Sequence, residues 1–164
     1  MRKTKKSWTL SSEGRPNKMK EFKGRVIAGG NWTGEAAVSH QGFNTLASFQ
    51  KSALKNAKEV LVSDQNNKDL FGVNITGKAL CLPITIGSTT GGLVIQTVCQ
   101  MGIAPACFLF SESIDSLAAS GIVLAKIWEN SPVIAIDRLG KEFLNAVKTG
   151  DQLEVKEDGT VIIL

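Results

Sequence analysis

Short apolar segments alternate with helix-like segments through the second half of the chain, and this alternation limits the possible folds more than any other feature. Residues 79–82 are wholly apolar and end at Pro83, and residues 106–110 form a second such run. Continuous apolar runs of this length, bounded by turn formers, are typical of buried strands. Between them a helix is predicted from the turn at 87–92 to about Met101, with Leu93 on its buried face. This order predicts parallel strands and the α/β fold class.

Further apolar segments on both sides of this unit extend the pattern. Strands are expected at 25–28, 35–38, 59–62 and 133–136, and an apolar segment at 122–126 continues the alternation. The segment from Gly42 to Lys51 gives no clear signal. Strands before residue 70 and alternation after it indicate a mixed sheet with helices on at least one side.

Helix caps and turn residues predict the remaining elements. A short helix at 114–120 is expected to be capped by Ser113 and to end at Gly121. A second helix, at 139–148, has Asp137 as its candidate N-cap. The chain closes with a predicted hairpin, 152–156 and 160–164, whose Asp158-Gly159 pair fits a type I′ turn.

The positive charge is concentrated at one end of the chain. The net charge is +4, but residues 1–25 contribute nine Lys or Arg against two Glu, which is +7, and residues 26–164 are therefore at −3. Residues 1–21 are predicted to be a disordered basic arm, and 22–164 a single domain. A nucleic-acid binder that acts through this arm is one hypothesis, although the acidic body favours neither a nucleic-acid nor a membrane partner.

Cysteine and histidine usage limits the possible chemistry. Cys81, Cys99 and Cys107 lie in apolar contexts without CxxC spacing, which favours buried thiols in a reducing cytoplasm over disulfides or a metal site on this chain. His40 is the only histidine. No apolar run approaches the roughly 18 residues of a membrane span, and the first 20 residues lack the apolar core of a secretory signal.

The sharpest local signal is the sequence LPITIGSTTGG at 82–92, which predicts a strand, a turn and a helix start. The first amides of a helix lack intrahelical partners and favour an anion. Ser88 or Thr89 is either a simple N-cap or a donor to a bound carboxylate or phosphate. The lysine of a P-loop is absent. A catalytic triad would require His40 as the base for Ser88.

Two polar segments are weaker candidates for ligand contacts. One contains Asn44 and Ser48, and the other is the Asp64-Gln-Asn-Asn loop at 64–67. Their amides and hydroxyls suit a small polar ligand, but turn formation and solvation account for them equally well.

Three ordered blocks of sequence resemble the small subunit of aconitase X, a branch of the aconitase superfamily of hydro-lyases. The blocks are KGRVIAGG…GEAAVS at 23–39, GKALCLPITIGSTTGG at 77–92 and PACFLFSESIDSLAASG at 105–121. The resemblance implies a β/β/α swivelling domain with a mixed sheet, as in the aconitase small domain. It also implies a cytoplasmic heterodimer in which this domain closes over a large subunit that holds the iron–sulfur cluster or iron, with none bound by this chain alone.

The same resemblance assigns roles to the turn. Ser88 matches the catalytic serine, and Gly87, Thr89, Thr90, Asn44 and Ser48 are the expected substrate-binding residues. Thr90 stands where classical aconitases have an arginine that binds the substrate carboxylate, so tricarboxylate isomerisation is not expected.

The substrate is expected to be a small hydroxy acid. Ile86 stands where archaeal relatives tend to have an arginine, which favours cis-3-hydroxy-L-proline over a phosphorylated substrate. The alternative, mevalonate 5-phosphate, is favoured by the small subunit being a separate chain. A non-enzymatic module that binds an anion at the Gly87–Gly92 turn is a further alternative.

Overall fold

A computed structural model describes residues 19–164 of the chain. Its strands are β1 (Lys20–Lys23), β2 (Arg25–Ala28), β3 (Trp32–Val38), β4 (Phe43–Asn44), β5 (Ala79–Leu82), β6 (Thr85–Ile86), β7 (Cys107–Phe110), β8 (Ile134–Asp137), β9 (Gln152–Val155) and β10 (Thr160–Ile163). Its helices are α1 (Thr45–Leu54), α2 (Gly91–Gln100), α3 (Ser116–Trp128) and α4 (Lys141–Ala146).

Eight strands form one mixed sheet that is nearly closed. Their order is β1-β10-β9-β3-β5-β7-β8-β2, so the two end strands are consecutive in sequence and separated only by Gly24. The Gly24 amide donates to the Gly159 carbonyl over 3.0 Å, and a Cβ on Gly24 would lie 2.5 Å from the Asp137 carbonyl oxygen. Only a glycine fits at this junction of β1 and β2, because a side chain would clash with Ile136 and Asp137 of β8. The expected mixed sheet of an α/β fold is confirmed.

The four central strands are parallel and separate two apolar clusters. β3, β5, β7 and β8 pair in parallel, and the connections between them run through α1, α2 and α3. Side chains alternate across the sheet, so that Leu80 and Phe108 pack in the cluster that contains Ile95 and Ile122. Cys81 and Leu109 pack on the other face, in the cluster that contains Phe143 of α4.

Helices α2 and α3 approach each other through two glycines. A Cβ on Gly121 would overlap the Gly92 carbonyl, and one on Gly92 would overlap the Leu117 carbonyl. The prediction that Gly121 ends a helix is therefore wrong, because this glycine is a packing residue in the middle of α3. The segment 122–126 is the second half of that helix, and Asp115 rather than Ser113 is its N-cap.

Several other predictions differ from the structure. Residues 59–62 form no strand, and only an isolated bridge joins Leu61 to Asn74. Leu93 points to solvent, with 64% of its surface exposed. The helix predicted at 139–148 is shorter, and its N-cap position is Gly140. Asp137 instead binds Arg25 and the Ile114 amide.

The terminal hairpin forms with a different turn. β9 and β10 pair antiparallel as expected. A type I′ turn needs two consecutive residues with positive φ. Gly159 has a φ of 88°, but Asp158 is not among the residues with positive φ. The Gly159 amide donates to the Lys156 carbonyl, so Lys156–Gly159 is a turn in which the glycine alone takes the left-handed position.

The predicted basic arm lies almost entirely outside the described residues. The last two residues of the predicted arm, Lys20 and Glu21, belong to β1 and pair with Ile163 and Ile162. No helix within residues 19–164 combines the length and the hydropathy needed to cross a bilayer.

Candidate functional site

The turn that contains Ser88 lies beyond the carboxyl end of β5, between β6 and α2. Gly87 has a φ of 103°, and a Cβ there would lie 2.6 Å from Asn44 Oδ1. Asn44 is itself fixed, because its Oδ1 accepts a hydrogen bond from the Ala47 amide at the start of α1 over 3.0 Å. Gly87 is thus required both by its backbone conformation and by the side chain behind it.

Ser88 is half-buried, and its hydroxyl has local partners. Ser88 Oγ lies 2.8 Å from Thr90 Oγ1 and accepts a hydrogen bond from the Thr90 amide over 3.1 Å. The Ser88 carbonyl accepts from the Gly91 amide at the start of α2. The serine side chain is therefore held at the N-terminus of this helix and next to a second hydroxyl.

A cavity of about 200 Å³ opens beside Ser88. Three helices begin at its wall: Thr45 is the first residue of α1, Gly91 is the first of α2, and Leu117 lies in the first turn of α3. None of these first turns contains an acidic residue. Each helix N-terminus carries a partial positive charge, so the starts of α1 and α2 are suited to an anion, whereas the one formal charge in the described wall is the Asp115 carboxylate.

Asp115 partly offsets this positive potential and fixes one side of the cavity. Its Oδ1 accepts hydrogen bonds from the Leu117 and Ala118 amides over 2.9 and 3.0 Å, and the Thr85 hydroxyl donates to its Oδ2. The carboxylate neutralises the α3 terminus most, because it caps that helix directly. The N-termini of α1 and α2, which no acidic residue caps, remain as the anion-favouring part of the wall.

The structure brings together most of the predicted site residues. Asn44, Gly87, Ser88 and Thr90 lie around the turn, and Thr89 is exposed beside them. Ser48 is fully buried one turn further along α1 and does not line the cavity. Its hydroxyl has no hydrogen-bond partner within residues 19–164. In this structure Ser48 therefore lies behind the cavity wall, and its role in substrate binding stays a prediction.

His40 does not act on Ser88 in this structure. Its Nδ1 lies 3.3 Å from Asp69 Oδ2, and its side chain lines a different cavity together with Glu112 and Lys141. The triad hypothesis is therefore wrong. The 64–67 loop has structural partners as well, because Asn67 Nδ2 donates to Ser39 Oγ and Gln41 Nε2 donates to the Asn66 carbonyl.

Sequence reasoning missed three polar wall residues. Thr85, Thr45 and Asp115 all line the cavity. Thr85 lies three residues before Ser88, so its proximity was available from the sequence. Nothing in the sequence linked Thr45 to this turn, because their contact depends on how α1 packs against α2.

The cysteines do not fit a metal centre on this chain. All three are buried and free. Burial raises the pKa of Cys99 to about 11 and raises the pKa of Cys81 and Cys107 as well, so the thiolates that would bind iron are disfavoured. Across residues 19–164 no group of three or more His, Cys, Asp or Glu side chains is placed to hold a metal ion.

Comparisons with known proteins agree on one family. The family model for the Aconitase X swivel domain matches residues 21–163. The chain is 28% identical over 138 residues to the phosphomevalonate dehydratase small subunit of Archaeoglobus fulgidus, which covers 84% of this chain and 93% of that protein. A similar relative from Methanosarcina mazei is 29% identical over 135 residues, 82% of this chain and 84% of that protein.

A solved structure shows the same architecture. The crystal structure of Thermococcus kodakaraensis aconitase X, in its holo-form, superposes with a TM-score of 0.74 at 27% sequence identity. The match covers 88% of this chain and 98% of that one.

Proposed function

Because the chain belongs to the aconitase X swivel domain family and is the small subunit of an aconitase X-like dehydratase, we propose that its Ser88 turn completes the active site of a large subunit. The observation that carries this proposal is the position of Ser88 beside a cavity at which the N-termini of α1 and α2 meet without an acidic cap. A half-buried hydroxyl next to an anion-favouring wall suits a reaction on an acidic substrate.

We propose mevalonate 5-phosphate as that substrate. The relatives from Archaeoglobus fulgidus and Methanosarcina mazei are both phosphomevalonate dehydratase small subunits, and this chain spans most of their length. They support this substrate over cis-3-hydroxy-L-proline, which Ile86 favoured. The absence of an arginine at position 86 is weaker support than these relatives, because the large subunit can also supply a cation for the phosphate.

The chemistry proposed for Ser88 is the removal of a proton from the carbon next to the substrate carboxylate. The hydroxyl on the adjacent carbon leaves, a carbon–carbon double bond forms, and the proton and hydroxide are released as one water. A serine is a weak base in water, so its anion needs stabilisation. The amides at the start of α2 and the Thr90 hydroxyl, 2.8 Å away, are suited to provide it once docking excludes solvent.

The iron–sulfur centre expected in this family is assigned to the large subunit. The buried thiols of this chain do not fit such a centre. Lewis-acid assistance to the leaving hydroxyl is the chemistry that the centre would supply. The role of this chain is therefore to position the base, bind acidic groups and close the site.

A reconstitution experiment tests the substrate. The chain and its large subunit are combined under anaerobic conditions, and water loss from mevalonate 5-phosphate and from cis-3-hydroxy-L-proline is followed by NMR. We expect the phosphorylated substrate to be dehydrated at least a hundredfold faster in kcat/KM. Faster dehydration of the hydroxyproline would overturn the substrate proposal, and turnover of neither would overturn both.

A further inference from the structure

A second concave surface lies along α1, away from the Ser88 cavity. We define the α1 groove as the surface between the exposed side of α1 and the segment 57–72. It contains a cavity of about 520 Å³ and an adjoining one of about 520 Å³. The two share Lys51, Lys55, Ser63 and Gln65 in their walls, so they form one continuous depression.

The wall of the α1 groove contains three exposed apolar side chains. Leu54, Leu61 and Phe71 have 81%, 47% and 54% of their surfaces exposed. Leu61 and Phe71 line the first cavity, and Leu54 lines the second. Large apolar side chains gathered at one place and rimmed by polar residues are typical of an interaction site.

The rim of the α1 groove is basic. Lys51, Lys55 and Lys58 line it, and within residues 19–164 none of them forms an ion pair or a side-chain hydrogen bond. Glu59 is the one acidic residue in the described wall, and its carboxylate is already bound by Asn74. Residues 26–164 as a whole have a net charge of −3. The α1 groove, with three lysines and one glutamate, therefore has the opposite sign of charge.

The α1 groove begins within one turn of the end of α1 that lines the Ser88 cavity. Its wall begins at Ala47, whose amide is bonded to Asn44 beside Gly87. A ten-residue helix spans about 15 Å, so a protein surface that covers Ser88 needs to extend only that far to enter the groove.

We propose that the α1 groove is a second docking surface for the large subunit and binds a segment of it that carries both acidic and apolar side chains. The inference rests on the proposed function, because it takes the large subunit as the partner. Carboxylates of the segment pair with the free lysines, and its apolar side chains cover Leu61 and Phe71. Such pairs mainly accelerate and orient association, and they weaken with salt.

A binding titration with the holo large subunit tests this proposal. The Lys51→Glu/Lys58→Glu variant reverses two rim charges, and Lys148→Glu/Lys156→Glu reverses two exposed lysines elsewhere as a matched control. At low salt we expect Kd to rise at least tenfold for the groove variant and no more than about twofold for the control. The kcat of the saturated complex should be unchanged, because no groove residue touches Ser88.

A separate variant tests the contribution of the apolar side chains in the α1 groove. Phe71→Ser should weaken binding severalfold with little response to salt, and circular dichroism melts confirm that each variant folds.

Equal Kd values for the groove variant and the control would overturn the docking proposal while leaving the dehydratase proposal intact. If wild-type chain neither binds the large subunit nor supports turnover, both proposals fall together.

Discussion

The Ser88 cavity and the Arg25–Asp137 pair differ in the polar groups from which they are built. The cavity has no described Lys or Arg in its wall and relies on helix N-termini and hydroxyls. The pair is a two-point ion pair, with Nε to Oδ1 at 2.9 Å and Nη2 to Oδ2 at 2.7 Å, and it joins β2 to β8 at one edge of the nearly closed sheet. This ion pair stabilises the fold, whereas helix N-termini and hydroxyls, together with the single carboxylate of Asp115, form the wall of the candidate catalytic site.

This difference predicts that activity and stability can be changed separately. A substitution at the Ser88 turn removes a chemical group from an exposed surface and leaves the core packed. A substitution at the Arg25–Asp137 pair leaves a buried polar group without its partner.

Ser88→Ala is expected to lower kcat of the reconstituted complex by about a thousandfold, because it removes the proposed base. Its melting temperature should stay within a few degrees of wild type, since Ser88 is only half-buried. Thr33→Ala, an exposed hydroxyl on β3, is the control and should retain full activity. Activity of Ser88→Ala within tenfold of wild type would show that another group is the base.

Gly121→Ala is expected to lower the free energy of unfolding by about 3 kcal/mol, because the added Cβ overlaps the Gly92 carbonyl and separates α2 from α3. Urea denaturation measures the effect, and the neighbouring Ser120→Ala on the exposed side of α3 is the control. Unchanged stability of Gly121→Ala would mean that the two helices tolerate a wider spacing.

Asp137→Asn is expected to lower the free energy of unfolding by about 2 kcal/mol, because Arg25 and the Ile114 amide lose a charged acceptor. The activity of the folded complex should change little. Asp158→Asn, which removes an exposed pair with Lys23, is the control and should have a much smaller effect.

Asp137 is also expected to make the stability of the folded protein depend on pH. Burial raises the pKa of Asp137, but the hydrogen bonds from Arg25 and the Ile114 amide outweigh it, so the pKa is lowered in the folded state. A carboxyl with a lowered folded pKa adds stability above its unfolded pKa of about 3.9, and that stability is lost as pH falls through the folded pKa. Wild type should therefore lose more stability than Asp137→Asn between pH 5 and pH 2, as measured by thermal unfolding at each pH. Parallel curves would contradict this assignment.

Thr90→Ala is expected to have the smallest effect, a reduction in kcat of about tenfold with KM nearly unchanged. Thr90 Oγ1 lies 2.8 Å from Ser88 Oγ and holds it in one orientation. Thr90→Ser keeps that hydroxyl and should restore most of the rate. A loss in Thr90→Ser as large as in Thr90→Ala would indicate a packing role for the methyl group instead.

Local patterns in the sequence predicted the elements that depend on neighbouring residues. The buried strands β5 and β7, the glycine turn before α2 and the terminal hairpin all follow from apolar runs and turn formers within a few residues. Local patterns placed Ser88 at a turn between a strand end and a helix start, but its catalytic role was assigned only by the resemblance to the aconitase X small subunit.

The hairpin turn type and the N-cap of α3 are local errors, whereas the other misses concern features that depend on distant contacts. Gly121 was interpreted as a helix end because a glycine that packs against another helix has the same sequence signal as a C′ glycine. The apolar residues at 59–62 have the composition of a strand but find no partner strand, so Leu61 remains at the surface. Thr45 joins the site only because α1 packs beside α2.

The central claim is that this chain supplies an essential part of a dehydratase active site, and one measurement tests it most directly. The rate of water loss from mevalonate 5-phosphate is measured with the holo large subunit alone and after addition of this chain in equal amount. The proposal predicts turnover only when both subunits are present, with a rate that saturates at one chain per large subunit. Dehydration by the large subunit alone at a rate within tenfold of the complex would contradict it.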